Sequence, residues 1–358
     1  MTLLSIHPWE RKEGLTLPLD RELNSLVRLM QAMAEANIPV SPVSVTNLYV
    51  SLKSKPLALL VGPKDEPKEA FLRLFSAELT GQSPYQCQTM AGHAWWATRT
   101  DNVARFTQAQ TALNEEKIAA LLSEALQAQN AHEVFIACLM KISPAELEGC
   151  FSTLARLIQG RRVIPLPGNY YWPPFPCPPN LLIVGTMDAG LFPGYEADLL
   201  TQTTVITGAF CETPEPFSLP LISREPEKHT LSAWIRDEAS AYARLHQIPG
   251  WHSRWLKPAM GVVSILLRHG VSLQTRRVTQ EVLIYLANSW SQAGNGLFAN
   301  PCESNLNTAL DLAISQSLLS RGWEPLRHTP SLRQTLKEVL DNRFPRSRGF
   351  IEGVSSTR

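Results

Sequence analysis

The sequence predicts an α/β fold in which helices sandwich a parallel β-sheet, followed by an α-helical domain. Three apolar runs of five or six residues, each bounded by turn-forming or polar residues, are typical of strands buried on both faces. Segments with helical periodicity separate the runs, and this alternation favours a parallel sheet. The runs are residues 57–61, 133–138 and 181–185.

The first apolar run, residues 57–61, lies between segments with helical spacing. Before it, residues 21–37 carry apolar side chains three or four positions apart, and a shorter helix is expected at about 45–52. After it, residues 68–79 show helical spacing again. A strand, a tight loop and a helix in this order begin a βαβ unit.

The character of the chain changes at about residue 228, since helical periodicity continues and no further strand pattern occurs. The predicted helices are 229–246, 258–269, 277–291, 304–320 and 330–341. The predicted organisation is an N-terminal tail (1–19), an α/β domain (20–210), a proline-rich linker (211–228) and an α-helical lid domain (229–358).

Composition limits the classes of function. An apolar fraction of 44% over 358 residues supports a sizeable core. The net charge of +1 gives no reason for nucleic-acid binding by the whole chain, so such binding is expected only through a partner or a local basic patch. Neither a signal peptide nor an 18-residue apolar stretch is found, and the six cysteines lack metal-ligand spacing. We therefore expect a cytoplasmic protein without a membrane span or a metal site.

A P-loop reads Gly-x-x-x-x-Gly-Lys-Ser/Thr between a buried strand and a helix. In this chain Gly62 and Lys68 stand at the required spacing after the first apolar run. The second glycine is replaced by Pro67, which lacks a backbone N–H, and the magnesium-binding hydroxyl residue is replaced by Glu69. Both changes work against polyanion binding. The alternative interpretation is that Gly62 is an ordinary turn glycine and Lys68 a solvated lysine in the first helical turn.

The order of these segments resembles the McrB family of AAA+ ATPases. Residues 38–62 are similar to the family's helix, lysine-containing turn and P-loop strand, and residues 180–188 (NLLIVGTMD) are similar to its sensor-1 strand. Residues 277–286 (RVTQEVLIYL) resemble its sensor-2 helix, with Arg277 as the sensor-2 arginine. The resemblance covers about residues 20–355, and its other pieces are 85–96, 197–206, 309–319 and 344–347.

The resemblance implies a nucleotide site whose catalytic positions have been replaced. The Walker B positions, normally Asp-Glu, are Cys138 and Leu139, and sensor 1 is Asp188 where asparagine is usual. The arginine-finger position is Gln202. Because phosphoryl transfer depends on magnesium, a water-orienting base and such an arginine, no catalytic residue is expected. The vestigial nucleotide contacts are Gly62, Lys68 and Arg277.

Two functions follow from the resemblance. The first is a pseudo-ATPase without cofactor, which acts as a structural or regulatory subunit with a protein partner or with copies of itself. Family members form rings that drive a nuclease, which implies a setting in anti-phage restriction. The alternative is an atypical AAA+ motor subunit that partners a nuclease and binds or hydrolyses ATP or GTP with magnesium.

Overall fold

Each of the three apolar runs forms a strand in the computed structural model of the protein, and two further strands complete a parallel sheet. The strands are β1 (Leu57–Gly62), β2 (Cys87–Ala91), β3 (Phe135–Met140), β4 (Leu181–Asp188) and β5 (Thr203–Thr207). Their spatial order is β2-β3-β4-β1-β5, so the first strand lies inside the sheet.

The structure describes residues 20–91, 117–118, 120–144, 147, 178–192, 194, 200, 203–207 and 234–356. The predicted tail at 1–19, the predicted linker at 211–228 and Gln202 lie outside these ranges.

Helices cover both faces of the sheet. One face packs against α1 (Arg21–Glu35), α2 (Pro42–Ser54) and α3 (Lys68–Leu79). The other face packs against a helical segment formed by residues 117–118 and 120–125. Ala58 and Leu60 of β1 enter the first core, whereas Leu57, Leu59 and Val61 enter the second. Burial on both faces explains why this strand is continuously apolar.

Capping residues set the starts of the first two helices. The carboxylate of Asp20 accepts a hydrogen bond from the backbone N–H of Glu22 (3.1 Å), and the hydroxyl of Ser41 accepts one from that of Ser44 (3.2 Å). The second helix, predicted at about 45–52, therefore begins three residues earlier than expected.

Residues 234–356 contain helices and no strand, as predicted. The helices are α4 (Glu238–His246), α5 (Lys257–Arg268), α6 (Thr275–Asn288), α7 (Cys302–Ala313), α8 (Trp323–His328), α9 (Pro330–Val339) and α10 (Pro345–Ser356). Of the helix predicted at 229–246, residues 229–233 lie outside the described ranges. The described helix begins at Glu238, because Asp237 caps it by accepting from the N–H of Ser240 (2.8 Å). The helix predicted at 304–320 changes to a π-helical turn at Ile314–Leu319.

The helical region shares a hydrophobic core with the α/β region. α6 packs on α2, where the hydroxyl of Tyr285 donates to Oδ1 of Asn47 (2.7 Å). Residues on both sides of the predicted linker therefore bury their apolar side chains together. None of the helices within the described ranges is both long and apolar enough to cross a lipid bilayer.

Candidate functional site

The candidate site is the loop at residues 62–69, where β1 ends and α3 begins. Its first residue, Gly62, pairs in register with Asp188 at the end of β4. The chain leaves β1 toward one edge of the sheet and returns on its other side as β5. In open α/β sheets, ligands bind at the carboxyl ends of strands beside such a change of direction. The fold thus places Gly62 and Asp188, the residues that the resemblance assigns to the P-loop and to sensor 1, side by side.

Lys68 is fully buried, and its ammonium group lies within its own loop. Nζ donates to the carbonyl oxygen of Gly62 (3.1 Å) and to that of Pro63, and Oδ1 of Asp188 lies 3.6 Å away. A buried ammonium group requires such partners, because loss of hydration is otherwise too costly. The interpretation of Lys68 as a solvated lysine is therefore wrong.

The backbone of the loop also turns inward. The N–H of Glu66 donates to the carbonyl of Pro63 (3.3 Å), and the N–H of Lys68 donates to the carbonyl of Glu66 (2.8 Å). Pro67 has no N–H to offer. Of the N–H groups that a phosphate-binding cradle would use, those of Glu66 and Lys68 are thus already bonded within the loop, and Pro67 supplies none.

Glu69, at the position of the magnesium-binding hydroxyl, is bonded to the neighbouring strand. Its Oε1 accepts from the hydroxyl of Thr186 (3.2 Å), whose Oγ1 accepts from the backbone N–H of Lys141 (2.9 Å). These bonds connect the start of α3 to the ends of β4 and β3. Neither Thr186 nor Lys141 was predicted from the sequence to belong to the site. A signal existed for Thr186, because it stands two positions before Asp188 and strand alternation puts both on one face.

The charges at the loop are unfavourable for a nucleotide. Two lysines face four carboxylates, which gives these six side chains a net charge of −2, before any phosphate is added. The groups are Lys64, Asp65, Glu66, Lys68, Glu69 and Asp188. Among the described residues, no group of three or more histidines, cysteines and carboxylates could hold a metal ion.

The two Walker B positions lie deeper in the sheet than expected. Sγ of Cys138 lies 3.0 Å from Oγ of Ser76, which is eight residues beyond Lys68 and therefore about 12 Å along α3 at 1.5 Å per residue. Leu139 faces the opposite core. Lys141, not Cys138 or Leu139, is connected to Glu69 by hydrogen bonds through the hydroxyl of Thr186. Lys141 is not acidic either.

Arg277 does not join the other vestigial contacts. Its Nε lies 3.7 Å from Oε1 of Glu281, whose Oε2 accepts from Nζ of Lys55 (2.8 Å). Lys55 precedes β1, whereas the loop follows it, and this strand spans about 16 Å at 3.3 Å per residue. The expectation that Arg277 contributes to one site with Gly62 and Lys68 is wrong. Arg277 lies near the amino end of β1, whereas Gly62 and Lys68 lie at its carboxyl end.

Compared with models of known protein families and with curated proteins, the chain matches none. The structure defines its class as an α/β protein with a five-stranded parallel sheet flanked by helices, compatible with a P-loop-like fold.

Proposed function

We propose that the chain is a catalytically inactive AAA+ module of the McrB type and serves as a structural or regulatory subunit of a larger assembly. The observation that carries this proposal is the position of Lys68. A working P-loop uses this lysine to neutralise phosphates. Here the ammonium group is occupied by the carbonyls of Gly62 and Pro63 and lies beside Asp188.

The arrangement of segments supports the AAA+ part of the proposal. The strand at the P-loop position lies inside the sheet, the strand at the sensor-1 position is its direct neighbour, and helices follow the sheet in the chain. These are the relative positions that the resemblance implies for residues 38–62 and 180–188.

The chemistry of the loop supports the inactive part. Phosphoryl transfer requires a metal held on the phosphates and a residue that orients the attacking group, and an arginine finger alone contributes about 10³–10⁵ in rate. At the described strand end next to the loop stand Met140 and Lys141, and Glu69 is bonded to Thr186. Met140 and Lys141 supply neither a magnesium ligand nor a base, and Oε1 of Glu69 is already bonded to Thr186.

The test is phosphate release by the purified chain with Mg-ATP and with Mg-GTP. Turnover is expected at background, and Lys68→Ala should leave it unchanged, as should the control Lys64→Ala in the exposed part of the loop. Turnover by the wild type that only Lys68→Ala abolishes, while circular dichroism shows a folded variant, would favour the motor alternative instead.

Under this proposal, nucleotide hydrolysis or nucleic-acid cleavage is carried out by a partner protein. The resemblance implies an intact AAA+ ATPase or a nuclease as neighbour in an anti-phage restriction system, with nucleic acid contacted through that partner.

A further inference from the structure

A concavity of about 660 Å³ opens near the amino end of β1, away from the loop at 62–69, which follows the carboxyl end of this strand. It is formed by the turn between α2 and β1, by the first turns of α6 and by the segment before α4. Its charged lining consists of Lys55, Arg236, Arg276, Arg277 and Glu281. Arg277 was predicted from the sequence to belong to another site, and the other four residues were not predicted to belong to any site.

Positive charge exceeds negative charge in this concavity. The carboxylate of Glu281 is shared among Lys55 (2.8 Å), Arg321 (2.8 Å) and the more distant Arg277 (3.7 Å). Arg276 is exposed and has no ion pair within the described part of the chain. The concavity is thus lined by four cations, Lys55, Arg236, Arg276 and Arg277, and by one carboxylate.

The start of α6 adds to the positive potential. The helix has 14 residues, no acidic residue in its first turn and no side-chain hydrogen bond from its N-cap, Gln274. Arg276 and Arg277 occupy that first turn, where the helix dipole disfavours cations and favours anions. The first-turn residues line the concavity, so the amide groups and both arginines act on the same space.

The protonation of Lys55 reflects this environment. The pKa of Lys55 is lowered to about 8, chiefly by burial and also by the positive charges of Arg321 and Arg277, while the negative charge of Glu281 opposes the shift. A perturbed group in a concave site is a marker of function.

We propose that this concavity binds a compact polyphosphate anion through Arg276, Arg277 and the start of α6. Guanidinium groups match phosphate oxygens in geometry and charge. The volume fits a small molecule, for which sites measure roughly 300–1,000 Å³. The cations meet in one concavity, whereas a nucleic-acid backbone is bound by cations spread over many phosphates. The inference goes beyond the proposed function and does not depend on it.

The experiment is a calorimetric titration of the full-length chain with magnesium-free tripolyphosphate at low ionic strength. Saturable binding is expected, and it should weaken with added salt. Arg276→Gln and Arg277→Gln should each weaken binding about tenfold, the effect of one charge-assisted hydrogen bond. Arg268→Gln, an exposed arginine on α5, and Lys68→Met should leave the affinity unchanged.

Three outcomes would overturn the inference. They are no saturable binding by the folded wild type, equal affinity in both arginine variants, or an oligonucleotide that binds and is not displaced by tripolyphosphate. Binding lost in a folded Lys68→Met and kept in Arg276→Gln would locate the anion in the loop, and this result would also contradict the closed loop of the proposed function. Absence of binding alone leaves the proposed function unaffected.

Discussion

At the scale of single residues, Lys68 has a structural role where the motif suggests a contact to nucleotide. Its ammonium group satisfies two loop carbonyls and lies beside Asp188, while its side chain is fully buried. In a nucleotide-binding loop, the ammonium group of the lysine binds phosphate. Replacing that lysine is therefore expected to have little effect on the free energy of unfolding of the nucleotide-free protein. In this chain the lysine is expected to stabilise the loop itself.

Lys68→Met should therefore lower the free energy of unfolding by about 2–4 kcal/mol, since two hydrogen bonds to a charged group are lost and the carbonyl of Gly62 is left buried without this partner. The measurement is chemical denaturation without nucleotide. Lys64→Met, in the exposed part of the same loop, serves as control and should change stability by less than about 0.5 kcal/mol. Equal stability of the two variants would mean that Lys68 does not hold the loop closed.

Lys55 gives a prediction about pH. Its pKa in the folded chain is about 8, below the ordinary value of 10.5, because it is buried. Between these values the unfolded chain binds a proton that the folded chain has released, so the contribution of this group to stability rises with pH. Below pH 8 both states carry the charge, and the cost of burying it is fully present.

The comparison is between wild type and Lys55→Met, unfolded with urea at several values from pH 7.5 to pH 9.5. The stability of the wild type relative to the variant should increase across this window, since the other titrating groups are common to both. Lys257→Met, an exposed lysine at the start of α5, should run parallel to the wild type. A constant difference between wild type and Lys55→Met would refute the assignment.

At the scale of elements, the buried carboxylate of Glu22 on α1 forms hydrogen bonds to α2 and to the turn after α6. Glu22 accepts from Nζ of Lys53 (2.7 Å), from the hydroxyl of Tyr49 (3.0 Å) and from the backbone N–H of Gln292 (2.7 Å). Burial, together with the negative charge of Glu22, raises the pKa of Tyr49 well above 10. The three elements are thus held together by one charged group.

Glu22→Gln should cost about 3–5 kcal/mol, because it leaves the ammonium group of Lys53 buried without its counter-charge. The double variant Glu22→Gln/Lys53→Met should recover part of this loss, since the unpaired charge is then absent. Denaturation curves of the single and double variants provide the measurement. Glu338→Gln, on the exposed face of α9, is the matched control. A neutral effect of Glu22→Gln would show that this charge does not fasten the helices.

At the scale of the whole molecule, the α/β region leaves apolar side chains on its surface. Tyr85 before the edge strand β2 is 77% exposed, and Leu126 and Leu191 are also exposed. An edge strand offers unpaired backbone groups to another chain. The proposed assembly would form through exposed apolar surfaces of this kind.

Light scattering should accordingly give a mass above the 39.8 kDa of one chain, or the chain should form a stable complex with a protein from its host. Tyr85→Ser should weaken that association while the circular dichroism spectrum stays unchanged, because the side chain is exposed. A strict monomer that co-purifies with no other protein would contradict the assembly proposal.

The sequence by itself determined the local features of this protein. The runs at 57–61, 133–138 and 181–185 predicted strands, because burial on both faces demands continuous apolar side chains. The residues Pro67 and Glu69 predicted a loop unsuited to phosphate, because a missing N–H and an added carboxylate act wherever the loop lies.

Only the tertiary structure decided where distant residues meet. Lys68 is buried because carbonyls of its loop and Asp188, 120 positions later in the chain, provide partners for its charge. Arg277 lies far from the loop because it pairs with Glu281, which is bonded to Lys55. Lys55 comes just before β1, whereas the loop comes just after it. Periodicity and motif spacing report on neighbours along the chain, whereas these positions depend on the order of strands and on a core shared between the α/β and helical regions.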